Sequence, residues 1–190
     1  MNALANMNAP QPPAPPTPAL RLVVMGVSGC GKTTMAGALA RRMGLEMVDG
    51  DDLHLPQSVA KMSAGIALDD ADRWPWLDRI GDYLSSSPSG SAGRVVACSA
   101  LKRAYRDRIR AHAGAVRFVF LQGDFEVIQQ RMLQRVGHYM QPGLLQSQFE
   151  ALEPPQADEV DVITLSVQEP VDALLDHALA QFSARAQAAT

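Results

Sequence analysis

The residues best suited to chemistry stand together in Gly26-Val27-Ser28-Gly29-Cys30-Gly31-Lys32-Thr33, which fits G-x-x-x-x-G-K-[ST] at every fixed position. Glycines at this spacing let the backbone curl until several N–H groups converge on one anion, at the positive end of a helix dipole. In such a loop Lys32 reaches the β- and γ-phosphates of a nucleoside triphosphate, and the Thr33 hydroxyl completes a Mg²⁺ shell. The expected nucleotide contacts are Gly26, Ser28, Gly29, Cys30, Gly31, Lys32, Thr33 and Thr34. A chance match in a chain of ordinary composition is roughly 1%, so an ordinary glycine-rich turn is the poorer reading.

Three further groups have suitable types and spacing. Asp49-Gly50-Asp51-Asp52 closes a short apolar run. Carboxylates at the end of a strand beside the phosphate loop sit where open α/β sheets bind ligands. One of them could accept a hydroxyl proton or bind Mg²⁺ through water, and an acidic turn capping the next helix is the competing reading. Lys102 and Arg106 lie one helical turn apart and would share a face that either reads an anion or is simply solvated. Arg131 and Arg135, also one turn apart, run into Gly137-His138-Tyr139-Met140, a pattern suited to a lid that closes on phosphates and excludes water.

Elements that must position these groups follow from hydrophobic patterning. Leu22-Val23-Val24-Met25 reads as a buried strand before the loop, and residues 35–40 as the helix after it. Strands are expected again near 47–49, 94–98, 116–121 and 160–165, with helices over 99–110, 125–135, 143–152 and 171–182 between and after them. Strands alternating with helices through short connections predict a parallel five-stranded sheet covered on both faces, a three-layer α/β/α fold. Residues 53–80 contain no strand signal and form a small helical insertion, a natural cover for a second substrate, with Asp70 or Asp72 capping its last helix. Trp74 and Trp76 are expected to pack this insertion rather than stack on a ligand. Residues 85–91, rich in serine, read as a surface loop.

The 190-residue chain is sized for one domain, placed over residues 21–184 with the lid region over 131–150. The Pro- and Ala-rich residues 1–20 form a disordered tail that lacks the apolar core of a secretory signal, and residues 185–190 form a second tail. A net charge of −3 without a basic block argues against a nucleic-acid surface. No apolar run has the 18 or so residues a membrane helix needs. Cys30 and Cys98 are too few for a disulfide framework and suit a reducing cytoplasm.

Several separated segments, in order, make the chain resemble the P-loop gluconokinases, relatives of shikimate kinase and the nucleoside monophosphate kinases. These are the loop at 26–33, Asp49-Gly50-Asp51 with Leu53-His54, Lys61-Met62 with Gly65, Leu68, Asp70, Asp72-Arg73 and Pro75-Trp76-Leu77, Cys98-Ser99-Ala100-Leu101-Lys102 with Tyr105-Arg106-Asp107, Gly137-His138-Tyr139-Met140, and Ser147-Gln148-Phe149 with Leu152-Glu153. The resemblance spans about residues 22–182. It implies ATP-dependent, Mg²⁺-assisted phosphorylation of the terminal hydroxyl of D-gluconate by a homodimer. Asp51 would be the general base or hydroxyl orienter and, with Thr33, would hold the metal. Lys102, Arg106 and Arg73 would meet the substrate carboxylate, and His54 and His138 the sugar hydroxyls. Arg131 would pack on adenine, bordered by Gln168 and Pro170, and Arg135 would reach the transferring phosphate. In this chain Cys30 stands where serine is common in the family, and Leu55 where proline follows the histidine. Alternatives of the same fold are a kinase of another small acceptor such as shikimate, and a nucleotide-binding regulator without turnover.

Overall fold

The computed structural model describes residues 19–86, 90–134 and 142–187. Five strands, β1 (Leu20–Met25), β2 (Glu46–Asp49), β3 (Gly93–Ala97), β4 (Arg117–Gln122) and β5 (Val162–Ser166), form one sheet in the order β2-β3-β1-β4-β5. Every pairing is parallel. The strand carrying the phosphate loop is therefore central, with Val23 opposite Val96 on one side and Phe118 on the other. Central strands are buried on both faces, which is why these segments read as unbroken apolar runs.

The two faces divide the core. Leu22 and Val24 of β1 pack with Val95, Val119, Ile163 and Leu165 under α1 (Lys32–Met43) and α7 (Val171–Gln187), where Ile128 of α5 (Phe125–Leu133) and Leu145 of α6 (Pro142–Ala151) join the same core. Val23 and Met25 point the other way, onto Trp76, Leu77 and Ile80 of α3 (Asp70–Ser85) and Tyr105 and Ile109 of α4 (Arg103–Ala113). The expected three-layer α/β/α arrangement is present.

Between β2 and α3 lie a single 3-10 turn at Gly50–Leu53 and the short helix α2 (Pro56–Ser63). No strand interrupts this insertion, as its composition predicts. The cap of α3 is Asp69 rather than Asp70 or Asp72. Its side chain accepts the Asp72 N–H at 2.8 Å, while Asp72 accepts the Asp69 N–H at 3.2 Å, a reciprocal pair that satisfies two donors at the helix start. Trp76 is buried and donates Nε1–H to the Gly50 carbonyl at 2.6 Å, and Trp74 meets Tyr105 edge-on at 5.6 Å, so both tryptophans pack the insertion.

Most boundaries fall within three residues of expectation, and two differ by more. The helix after β3 begins at Arg103, not residue 99, because residues 99–102 continue off the strand with Ala100 in the left-handed region at φ 41°. The last helix runs to Gln187, so residues 185–187 belong to it rather than to a tail. Residues 1–18 and 188–190 of the expected tails lie outside the described residues.

Candidate active site

β1 delivers Gly26 to the edge of the sheet, where φ 140° and a Leu121 carbonyl 2.8 Å from any added Cβ leave room only for glycine. At Gly29 the reason is packing as well as its φ of 80°: a Cβ would lie 2.5 Å from Met132 Cγ of α5, which is pressed against the loop. Gly31 caps α1 in the left-handed conformation, with no side-chain cap and no acid in the first turn. The N–H groups of Gly31, Lys32, Thr33 and Thr34 thus have no helical acceptor, the first intrahelical bond being Met35 N–H to the Gly31 carbonyl at 2.9 Å. Donors without helical acceptors at the positive end of an uncompensated dipole make an anion site, the Lys32 N–H also lying against the Cys30 thiol. Lys32 curls over the loop and donates from Nζ to the Val27 carbonyl at 3.0 Å.

The loop is tied to its neighbours. Gly26 N–H donates to the Ser99 carbonyl at 3.3 Å, fixing the loop against the end of β3. Thr33 donates Oγ1–H to Asp49 Oδ2 at 3.0 Å, and Asp49 Oδ1 accepts the Asp51 N–H at 3.2 Å. A hydroxyl and a carboxylate side by side at a phosphate loop are a hard oxygen donor set of the kind Mg²⁺ takes alongside phosphates and water. The structure pairs Thr33 with Asp49, whereas the family resemblance implies Asp51 as its companion at the metal. Among the described residues no cluster of three or more His, Cys, Asp or Glu could hold a metal ion.

On the acceptor side, the Asp51 side chain is exposed at the 3-10 turn, with Oδ1 3.9 Å from His54 Nε2. His54 is 4% exposed in its side chain and stacks on Trp76 at 4.3 Å with a 12° interplanar angle. Burial pushes its pKa down; Asp51 opposes this and the Arg73 charge reinforces it. The Trp76 ring beneath it holds the His54 imidazole with Nε2 toward Asp51. Lys102 is paired with Asp70 at 2.8 Å, an ion pair that raises the lysine pKa and, with the Tyr105 hydroxyl, lowers that of Asp70. Arg73 donates to the Leu68 carbonyl at 3.3 Å and lies 6.0 Å from the Tyr105 ring centroid. Among the described residues it forms no ion pair, although its charge helps to lower the Asp70 pKa.

Arg106 is not brought to this site. Its side chain is 1% exposed, like that of Glu159, and the two form a bidentate pair at 2.7 and 2.6 Å. Its remaining donors go to the carbonyls of Ala100, Leu101 and Glu153. With α4 starting four residues later than expected, Lys102 caps the helix while Arg106 turns inward, so the two do not share a ligand face.

Burial pushes the Cys98 thiol up to about 12, and Lys32, Asp51 and Arg73 all act on it electrostatically. Cys30 is also buried, which raises its pKa, and both thiols are free. Neither is an activated nucleophile.

At the nucleotide end, Arg131 of α5 donates to the Val167 carbonyl, placing it against the turn that carries Gln168 and Pro170. In that turn the Gln168 N–H faces Ser166 Oγ at 3.4 Å and the Pro170 carbonyl accepts the Leu174 N–H at 3.1 Å. Arg135 and His138, with Gly137, Tyr139 and Met140, lie outside the described residues. A contact absent from the sequence reading comes from α6: Gln148 accepts the Ser28 N–H at 2.6 Å and donates to Ser28 Oγ at 3.1 Å. Its only signal was its place in the Ser147-Gln148-Phe149 segment.

Residues 22–155 match the family model described as an AAA domain. The thermosensitive gluconokinase of Escherichia coli strain K12 is 44% identical over 149 residues, covering 78% of this chain and 80% of the relative. The gluconokinase of Gluconobacter oxydans is 44% identical over 163 residues, covering 86% and 91%. Among solved structures, a gluconokinase from Sinorhizobium meliloti superposes with a TM-score of 0.80 at 45% identity, covering 88% of this chain and 94% of that one. With the phosphate loop, the paired Thr33 and Asp49, and this likeness over most of its length, the chain belongs to the gluconokinase family.

Proposed function

We infer that the protein transfers the γ-phosphoryl group of ATP to the terminal hydroxyl of D-gluconate, giving 6-phospho-D-gluconate and ADP. The observation that carries this reading is the phosphate loop with Lys32 over it, tied through Thr33 and Asp49 to the turn that carries Asp51, in a chain whose relatives are gluconokinases. Each charge has a use in the reaction. The loop N–H groups and Lys32 hold the triphosphate and neutralise charge that develops as the phosphoryl group moves. Asp51, exposed at the acceptor side, orients the terminal hydroxyl and takes its proton as the new O–P bond forms and the bond to ADP breaks. Arg73, which forms no ion pair with a carboxylate among the described residues, is the best-supported partner for the gluconate carboxylate, with Lys102 already shared with Asp70. His54 steers Asp51 through the edge that carries Nε2.

Thr33 and Asp49 would hold Mg²⁺, which when bound supplies charge neutralisation across the transferring phosphates. Arg131 with the turn at Gln168 and Pro170 would frame the adenine, and Arg135 and His138 would act from the lid. The insertion at 53–80 serves as the acceptor-binding module and residues 131–150 as the lid region, whose last part, α6, is anchored to the core by Leu145. Family resemblance supports a homodimer working in the cytoplasm. Among the described residues no helix is long and apolar enough to cross a membrane.

The test is ADP release measured with gluconate, shikimate and nucleoside monophosphates as acceptors. Release strictly dependent on gluconate is the expected result. Equal or greater turnover with another acceptor, or none with any, would overturn the assignment.

A further inference from the structure

We propose that Gln148 is a positioning residue for Lys32, acting through the peptide unit that joins Val27 to Ser28. That peptide is held at both ends. Its carbonyl accepts from Lys32 Nζ at 3.0 Å, and its N–H donates to Gln148 Oε1 at 2.6 Å. A trans peptide carries its C=O and N–H on opposite sides of one rigid plane, so the orientation of either fixes the other. Gln148 has hold of the N–H and thereby keeps the carbonyl turned toward the ammonium of Lys32. The amide cannot be reversed, because only its oxygen can accept from a backbone donor, and its nitrogen is then left to donate to Ser28 Oγ at 3.1 Å.

Gln148 is itself well fixed. It sits on α6, half-buried, three residues after Leu145, which is in the core, and one before Phe149, whose ring meets Phe125 of α5 edge-on at 5.4 Å. The same α5 packs Met132 against Gly29. The phosphate loop is thus gripped by α5 through an apolar contact and by α6 through a polar one. Only the polar contact is directional. Apolar packing limits where the loop lies, whereas a short hydrogen bond to one N–H decides which way a single peptide faces. An ammonium on a flexible four-carbon stem needs such a tether, since misplacement of a charge by about 1 Å can reduce turnover on the order of a hundredfold.

This inference rests on the kinase reading, and the experiment separates the two. Steady-state kinetics with ATP and gluconate are measured on the wild type, Gln148→Met, Gln148→Glu, Lys32→Met and the double variant Lys32→Met/Gln148→Met. Wild-type turnover of gluconate reports on the kinase assignment alone. Methionine keeps the length and helix preference of glutamine but removes the acceptor. Gln148→Met is expected to lower kcat about tenfold or more, with the KM for ATP within about threefold. Glutamate keeps an acceptor for the Ser28 N–H, so kcat should largely recover, while its charge near the triphosphate raises the KM for ATP in a salt-dependent way. In the Lys32→Met background the Gln148→Met change should cost less than about twofold, because the group it positions is gone. A kcat for Gln148→Met within twofold of wild type overturns the proposal. So does an equal kcat loss in methionine and glutamate variants, or an undiminished loss in the Lys32→Met background. Should Gln148→Met fail to fold in a thermal melt, Gln148→Glu decides: retained kcat supports the proposal and lost kcat refutes it.

Discussion

Replacing Glu159 by glutamine asks whether Arg106 is a structural or a substrate-binding arginine. Both side chains are 1% exposed, and Glu159 also accepts from Arg110 Nη2 at 2.9 Å and from the Gln156 N–H at 3.2 Å. Glutamine keeps the shape but leaves the Arg106 guanidinium buried without its counter-charge, a change that typically costs about 3–5 kcal/mol. A second route gives a similar figure. Hydrogen bonds from Arg106, then Arg110, outweigh burial and hold the Glu159 carboxyl at about 2 instead of its ordinary 4.5. At about 1.4 kcal/mol for each tenfold, that depression contributes about 3 kcal/mol at neutral pH. The folded-state pKa is below the unfolded one, so this stabilisation is complete above pH about 4.5 and is lost as pH falls toward about 2. For a domain of this size, about 3 kcal/mol lowers Tm by roughly 6–12 °C. Thermal melts of wild type and Glu159→Gln across pH 2–8 should show that gap near neutrality, closing below pH 4.5, while the gluconate KM at 25 °C stays within about threefold. An unchanged Tm with a gluconate KM raised tenfold would refute the reasoning, because it would mean that Arg106 faces the substrate.

Other expectations concern the site itself. Asp51→Asn should lower kcat about a hundredfold or more with ATP affinity little changed, the loss expected for a group that moves a proton; binding of a non-hydrolysable ATP analogue and kcat are read together. Arg73→Met should raise the gluconate KM about tenfold to a hundredfold with the ATP KM unaffected, since a charged hydrogen bond contributes about 1.5–3 kcal/mol, and initial rates at varied gluconate check it. Asp49→Asn should raise the Mg²⁺ concentration needed for half-maximal rate by about tenfold with the gluconate KM unchanged, because it weakens the carboxylate beside Thr33. A magnesium titration at saturating gluconate separates the two.

The phosphate loop was legible because its chemistry is local: eight consecutive residues carry the glycine conformations, the lysine and the hydroxyl. The central strands β3, β1 and β4 were legible for a similar reason, since central parallel strands are apolar on both faces and read as short, largely apolar runs, whereas the edge strands β2 and β5 are less buried. What local pattern could not give was partner choice over long separations. Arg106 looked like a companion of Lys102 because they are one turn apart, but its place is set by Glu159, 53 residues later in the chain. The left-handed Ala100 also shifted the start of α4 and so the phase of that helix. That Asp49 rather than Asp51 meets Thr33 depends on which carboxylate the turn after β2 aims back at the loop, and local sequence does not show that. Gln148 reaches the loop from 120 residues away, and nothing about a glutamine in a helix announces that contact.

The most direct test of the central claim is the identity of the phosphorylated product, read by phosphorus NMR after incubation of the protein with ATP, Mg²⁺ and D-gluconate. Transfer to the terminal hydroxyl places the phosphate on a CH₂ group, so the product phosphorus should appear as a triplet growing in step with ADP. A doublet, from phosphate on a secondary carbon, or ATP consumption yielding only inorganic phosphate would contradict the account.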